Sequence, residues 1–349
     1  MLFNVPVIPD DALALVLNRH TSSFYSCYFS LHAEGVHDGR HKQRLLETNR
    51  WIELLRSIRI PRKFLLLNNR AHGHGAYVDR DHLGTVAQTL RSMLKAGVVD
   101  GIVFADAYYL QALSDAGGEE ASQLQAVPSV NCQLESWDQI AAMLDFIEST
   151  RFRLPEVLLL DRSLNRRLEP LAEVSDRCRK ALPGVSLELL ANEGCLYRCP
   201  FKLTHDCHIS MVNTGQALDT HRINRELGCF RTIQSTPSRV FKSPFIRPED
   251  VGAYEPYVDV LKLCGRTLGA PFLHRVIDAY LKGRFTGNLL DLMDAMDVTA
   301  QWLYIDNDLL PADFLRLLTS CSKACRDCPT CEALVARCAK PRGFSLERR

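Results

Sequence analysis

Short aliphatic runs alternate with amphipathic helical stretches along most of the chain. FNVPVI precedes DDALALVLNRH, FYSCYFS precedes KQRLLETNRWIELLRSI, and KFLLLNN precedes DHLGTVAQTLRSMLKAG. This is the βα rhythm of a parallel sheet, because a parallel strand needs a crossover long enough to hold a helix. The rhythm continues through GIVFADAYY, through AVPSVNCQ before SWDQIAAMLDFIEST, and through EVLLLDR before NRRLEPLAEVSDRCRKAL. It ends with SLELLANEG and with VDVLKLCGR before APFLHRVIDAYLKG. Eight parallel strands in this order predict an α/β fold, a (β/α)8 TIM-like barrel with a cysteine-rich C-terminal extension. An open doubly wound sheet would want a Gly-rich phosphate loop after its first strand, and no GxGxxG stands there. The expected division is a barrel over residues 1–282, with a cysteine-bearing loop after strand seven, and an extension over 283–349.

Composition narrows the partners more than the fold. The 349 residues are 46% hydrophobic and 24% charged, with a formal net charge of +1, so neither disorder nor a broad field for nucleic acid is indicated. The first twenty residues lack a basic segment followed by a long apolar run, and no window reaches about 18 uninterrupted apolar residues. No membrane insertion and a cytoplasmic location are therefore expected.

In a barrel of this kind the chemistry belongs to the loops leaving the C-terminal strand ends. Those ends carry Ser30 and His32, Asn68 with Asn69 and Arg70, Asp106, Asn131 with Gln133, Asp161 with Arg162, Asn192 with Glu193, and Arg266. The histidines of the neighbouring loops, His37, His72 and His74, are either exposed loop residues or participants in a site.

Thirteen cysteines, locally clustered in a chain without an export signal, argue against a disulfide framework and for metal or cluster ligation. Cys27, Cys132 and Cys178 sit in apolar stretches where a small buried thiol is ordinary packing. The stretch NEGCLYRCPFKLTHDCHIS projects Cys195, Cys199 and Cys207 over the barrel mouth, with Cys229 one loop further on and His205 and His208 between them. Four converging sulfurs suit an iron–sulfur cluster or tetrahedral zinc. The irregular gaps favour the cluster, and unligated thiols stay open. In the tail, CSKACRDCPTC places Cys321, Cys325, Cys328 and Cys331 at gaps of three, two and two, with Cys338 beyond. Its CxxxCxxC spacing occurs in radical S-adenosylmethionine enzymes. Asp327 stands where those carry an aromatic residue, and the motif follows the last strand, so an auxiliary cluster or a zinc knot is the reading here.

Three regions resemble the collagenase-like peptidase family, peptidase family U thirty-two. Cys207, His208, Ile209 and Ser210 match the end of the family signature. Lys262, Leu263, Cys264, Gly265 and Arg266 stand where the family has a KIEGR-like motif, with Cys264 in place of glutamate. LLLDRSLNRRLEPL is similar to its strand-six segment. The resemblance implies a barrel with a four-iron four-sulfur cluster, since several relatives are oxygen-independent hydroxylation proteins acting on ubiquinone precursors or RNA bases, while others are proteases.

No GxSxG elbow or HExxH helix appears. The leading expectation is therefore an enzyme, an iron–sulfur oxidoreductase or hydroxylase-like protein. Its cluster, one of possibly two, is held by Cys195, Cys199, Cys207 and Cys229, with zinc as the alternative in the tail. Arg162, Arg266, Asn192 and Glu193 are the candidate catalytic and substrate-binding residues. The planar guanidinium groups suit an anionic small molecule, an RNA base or a peptide. The alternatives are a collagenase-like peptidase and a non-catalytic cluster-bearing electron-transfer or scaffold subunit. A partner subunit or electron donor accompanies the leading expectation, and Cys264 is the first replacement should one mouth ligand fail.

Overall fold

The computed structural model describes residues 1–31, 36–40, 47–217 and 221–342. The predicted strand-end residue His32 and residues 42–46 of the second predicted helix lie outside them. The strands are β1 (Leu2–Pro6), β2 (Phe24–Phe29), β3 (Lys63–Leu67), β4 (Gly101–Phe104), β5 (Gln125–Pro128), β6 (Val157–Leu159), β7 (Ser186–Leu190) and β8 (Val260–Lys262). All pair in parallel, in the order β5-β4-β3-β2-β1-β8-β7-β6. At the seam between β5 and β6, a bridge between Gln125 and Arg153 stands in for a full ladder, with Arg153 N donating to Leu124 O at 2.9 Å and Ala126 N to Arg153 O at 3.0 Å. The predicted barrel is thus nearly closed.

Period-two alternation decides what each strand residue touches. Tyr28, Phe64, Leu66, Val103, Val127, Val157 and Val260 form an inner cluster. The intervening residues, such as Cys27, Phe29, Leu65, Ile102, Leu189 and Leu261, join the larger core shared with the helices. The interior also holds a polar layer: Asn4 Nδ2 donates to Glu188 Oε2 at 2.8 Å, and Lys262 Nζ stands 3.6 Å from Glu188 Oε1.

Two elements depart from the sequence expectation. GIVFADAYY reads as a strand because of its aromatic residues, but β4 ends at Phe104 and a helix runs over Ala107–Ala116. Asp106 caps it, its carboxylate accepting from Tyr109 N at 3.2 Å, so a local cap outweighs β-propensity. The cysteine-rich stretch after β7 is likewise not all loop, since Lys202–Asn213 is helical.

Beyond residue 282 the chain folds back on the barrel. Leu290, Leu292, Met293, Phe314 and Leu334 belong to the same apolar cluster as the barrel helices. A small antiparallel pair, β9 (Leu303–Ile305) with β10 (Ala339–Pro341), ties the extension to itself. The extension reaches the barrel mouth through Asp294, whose N donates to Asn192 O and whose O accepts from Gly194 N, both at 2.8 Å. Gly194 is required at this crossing: a Cβ there would stand 2.4 Å from Met296 Cγ and 2.8 Å from Asp294 O.

Candidate active site

The C-terminal strand ends surround a polar cavity. Glu193, at the end of β7, accepts from Arg162 and lies 3.6 Å from Arg40, which also pairs with Asp294. Burial alone would push the Glu193 carboxyl up, but Arg162, Lys202 and Arg40 outweigh it and hold the group below the usual carboxylate range. Arg162 Nη2 and Lys202 Nζ both donate to Asn131 Oδ1, at 3.2 and 3.0 Å. Arg266 pairs with Asp38. Of the four predicted catalytic residues, Glu193 and Arg266 line this cavity. Arg162 is buried behind Glu193. Asn192 is fully buried and holds the end of β8, donating to Cys264 O and Leu292 O at 3.0 Å and accepting from Cys264 N at 2.7 Å.

The helix Lys202–Asn213 forms the upper wall. Lys202, His205, Asp206 and Ile209 follow helical spacing of three, four and seven, so they share one face, and all four line the mouth. Cys207 lies two positions from His205, about 200° round the helix, and is exposed on the other side. A second cavity of about 290 Å³ adjoins the first, and Cys195 and His205 lie on the walls of both. Cys199 and Cys229 line the second cavity. The predicted set at the mouth is thereby divided: Cys195, Cys199 and Cys229 share a cavity, and Cys207 is off it. Cys264, the predicted replacement, lines the first cavity. Among the described residues, no three His, Cys, Asp or Glu side chains are grouped so as to hold one metal ion.

The electrostatics keep thiol and imidazole neutral. Burial, aided by Glu193, pushes the Cys195 thiol up to about 12 against the opposing Arg162, Lys202 and Arg40. Burial, aided by Lys202, brings His205 down to about 4. His205 Nε2 stands 2.8 Å from Asn224 Nδ2. The other histidine candidates are placed differently. His72 is buried, with Nδ1 3.0 Å from Asp106 Oδ2 and its ring stacked 3.8 Å from that of Tyr109, and His74 is exposed.

Arg40, Asp38, Asn224 and Asp294 were missed in the sequence because none sits at a strand end. Their roles come from long-range pairs.

A nearly closed parallel barrel with charged and thiol groups gathered at its C-terminal mouth defines an enzyme-like α/β barrel. No family model matches the chain. The chain is 31% identical over 252 residues to the uncharacterized protease MJ1657 of Methanocaldococcus jannaschii, spanning 71% of this chain and 69% of that protein. Its fold is similar to that of the U32 peptidase Mk0906, with a TM-score of 0.51 at 16% identity over 76% of this chain and 93% of the other. The chain belongs to the collagenase-like peptidase family, peptidase family U32. These relatives are a protease and a peptidase, and this corrects the leading expectation of an iron–sulfur oxidoreductase or hydroxylase-like enzyme in favour of its peptidase alternative. No helix among the described residues is long and apolar enough to cross a membrane.

Proposed function

We propose that the chain hydrolyses peptide bonds at the barrel mouth, with Cys195 as nucleophile and His205 as general base. One observation carries this reading: Cys195 and His205 face the same two adjoining cavities, with Asn224 behind the imidazole. Turning the Asn224 amide by half a turn presents Oδ1 to Nε2–H, the tautomer that leaves the lone pair on Nδ1.

Because thiol and imidazole both rest uncharged, the proton moves to His205 as the sulfur attacks the carbonyl, rather than beforehand. The imidazolium then protonates the departing amine as the C–N bond breaks. Water releases the acid from the thioester and restores the thiol. Arg40, Lys202 and Arg266 line the mouth, paired with Asp294, Asp206 and Asp38, and would have to share those pairs to hold a peptide carboxylate or the developing oxyanion.

A second reading is favoured by the thiol-rich wall. Cys195, Cys199, Cys229 and His205 offer a soft donor set, but as they stand no three of them are grouped round one ion, so zinc or a four-iron four-sulfur cluster would be held there only after these side chains turned inward. Bound there, such a centre would supply Lewis-acidic charge to a carbonyl in the mouth, and no step above passes through it. The two readings exclude each other at Cys195, since a metal-bound thiolate is not free to attack.

A peptide carrying a thiol-reactive electrophile, with the modified residue mapped by mass spectrometry, separates them. Labelling of Cys195 that an unreactive peptide suppresses is the expected result. Labelling confined to the exposed Cys207, Cys325 and Cys328, with no protection by peptide, would sink the nucleophile assignment. Protection of Cys195 that disappears only on metal removal would favour the second reading.

A further inference from the structure

We propose that Cys321, Cys325, Cys328 and Cys331 ligate a structural, thiolate-held metal centre that is separate from the mouth and braces it from behind. All four line one cavity of about 270 Å³, between the turn Pro237–Lys242 and the helix Thr330–Cys338. Crowding in sequence does not explain this, because the fifth tail cysteine is excluded. Cys338 is buried, and its thiol donates to Leu334 O at 2.9 Å.

The backbone between the cysteines is held in an unusual shape. Lys323 takes a left-handed φ of 62°, rare for a side chain with a Cβ. Its Nζ donates to the carbonyls of Leu318, Thr319 and Cys321 at 3.0, 3.2 and 3.0 Å. This folds the chain back after the helix Phe314–Thr319, so that Cys321 and Cys325 face the same space.

Charge and composition point the same way. Arg239, Lys242 and Arg326 line the cavity along with Glu332, and Lys323 lines it with its Nζ held by backbone carbonyls, so the walls carry an excess of positive charge. Four thiolates around a divalent ion or a cluster leave a net negative charge that such cations offset, whereas neutral thiols would draw none. From Thr319 to Ala333 no side chain is a large hydrophobe. The segment therefore lacks the burial that orders a chain, and a metal cross-link supplies the missing stabilisation.

The thiols are not grouped tightly enough to share a single ion as they stand. Either they rotate inward around zinc, or a wider iron–sulfur cluster spans them. The chemistry recognised is the same in both cases, a soft metal taken by four thiolates. What the centre would brace is the turn Pro237–Lys242. There Lys242 O accepts from Tyr197 N at 2.8 Å, and the adjacent Ser243 Oγ donates to Glu193 O at 3.0 Å.

The test uses the full chain purified without oxygen, as wild type, as C325S/C328S and as C195S, with zinc, iron and acid-labile sulfide measured per chain. Cys325 and Cys328 are exposed, so the double substitution removes no core packing, and a circular-dichroism melt verifies that the barrel stays folded. C325S/C328S is expected to lose either about one zinc or the iron, sulfide and visible absorbance of one cluster, which C195S retains. It is also expected to gain protease cuts between residues 315 and 342. Equal metal and equal protease resistance in wild type and double variant, after reconstitution with Zn²⁺ and separately with Fe²⁺ and sulfide, would overturn the proposal.

Discussion

Replacement of His205 by Gln is expected to lower peptide hydrolysis by about 10²–10⁴-fold, the usual contribution of a positioned base. Glutamine keeps a polar group near Asn224 but cannot take the thiol proton. Two pH profiles separate this role from a packing role. In the wild type, the acid limb of kcat/KM should follow the imidazole at about 4, leaving activity nearly flat between about pH 5 and 8. An ion-pair mechanism would instead give a bell.

Stability gives the second profile. The folded imidazole titrates below its unfolded value of 6.5, so its stabilising contribution is complete above that value and is lost as pH falls from 6.5 towards about 4. Denaturant midpoints measured across that window should slope in the wild type and flatten in His205→Gln.

Glu193→Ala should have the largest effect on stability, a loss of about 3–5 kcal/mol by urea unfolding, because it leaves buried Arg162 without its carboxylate. Arg40 keeps Asp294 and suffers less. The folded Glu193 carboxyl lies below its ordinary value of 4.5, so its contribution is present above that value and disappears as pH falls through the folded one. Glu193→Gln preserves shape and should reproduce most of the loss at neutral pH. A near-neutral Glu193→Gln would show that volume, not charge, matters at this position.

The barrel was legible because each strand is a short apolar run followed by a helix with three-to-four spacing, and those periods survive folding. The helix Ala107–Ala116 was hidden by Tyr108 and Tyr109, and its one visible signal was the cap at Asp106. At the mouth, position in the chain was a good guide and spacing a poor one. Glu193 and Arg266 were found because strand ends aim at the mouth. The four-thiol set at the mouth was drawn from a segment treated as loop, and once Lys202–Asn213 is helical, His205 and Cys207 point to opposite sides. Arg40, Asp294 and Asn224 come from distant segments that meet only after the chain closes. Pairwise contacts of this kind leave no periodic trace in a single sequence.

Peptide-bond hydrolysis at the barrel mouth leaves a trace in its products. The purified chain is incubated with a mixture of unstructured peptides in H₂¹⁸O and the products are read by mass spectrometry. New carboxyl termini carrying ¹⁸O from solvent water are expected in the wild type, and none in Cys195→Ala with the fold retained. Intact peptides in the wild type, or cleavage undiminished in Cys195→Ala, would contradict hydrolysis at the mouth.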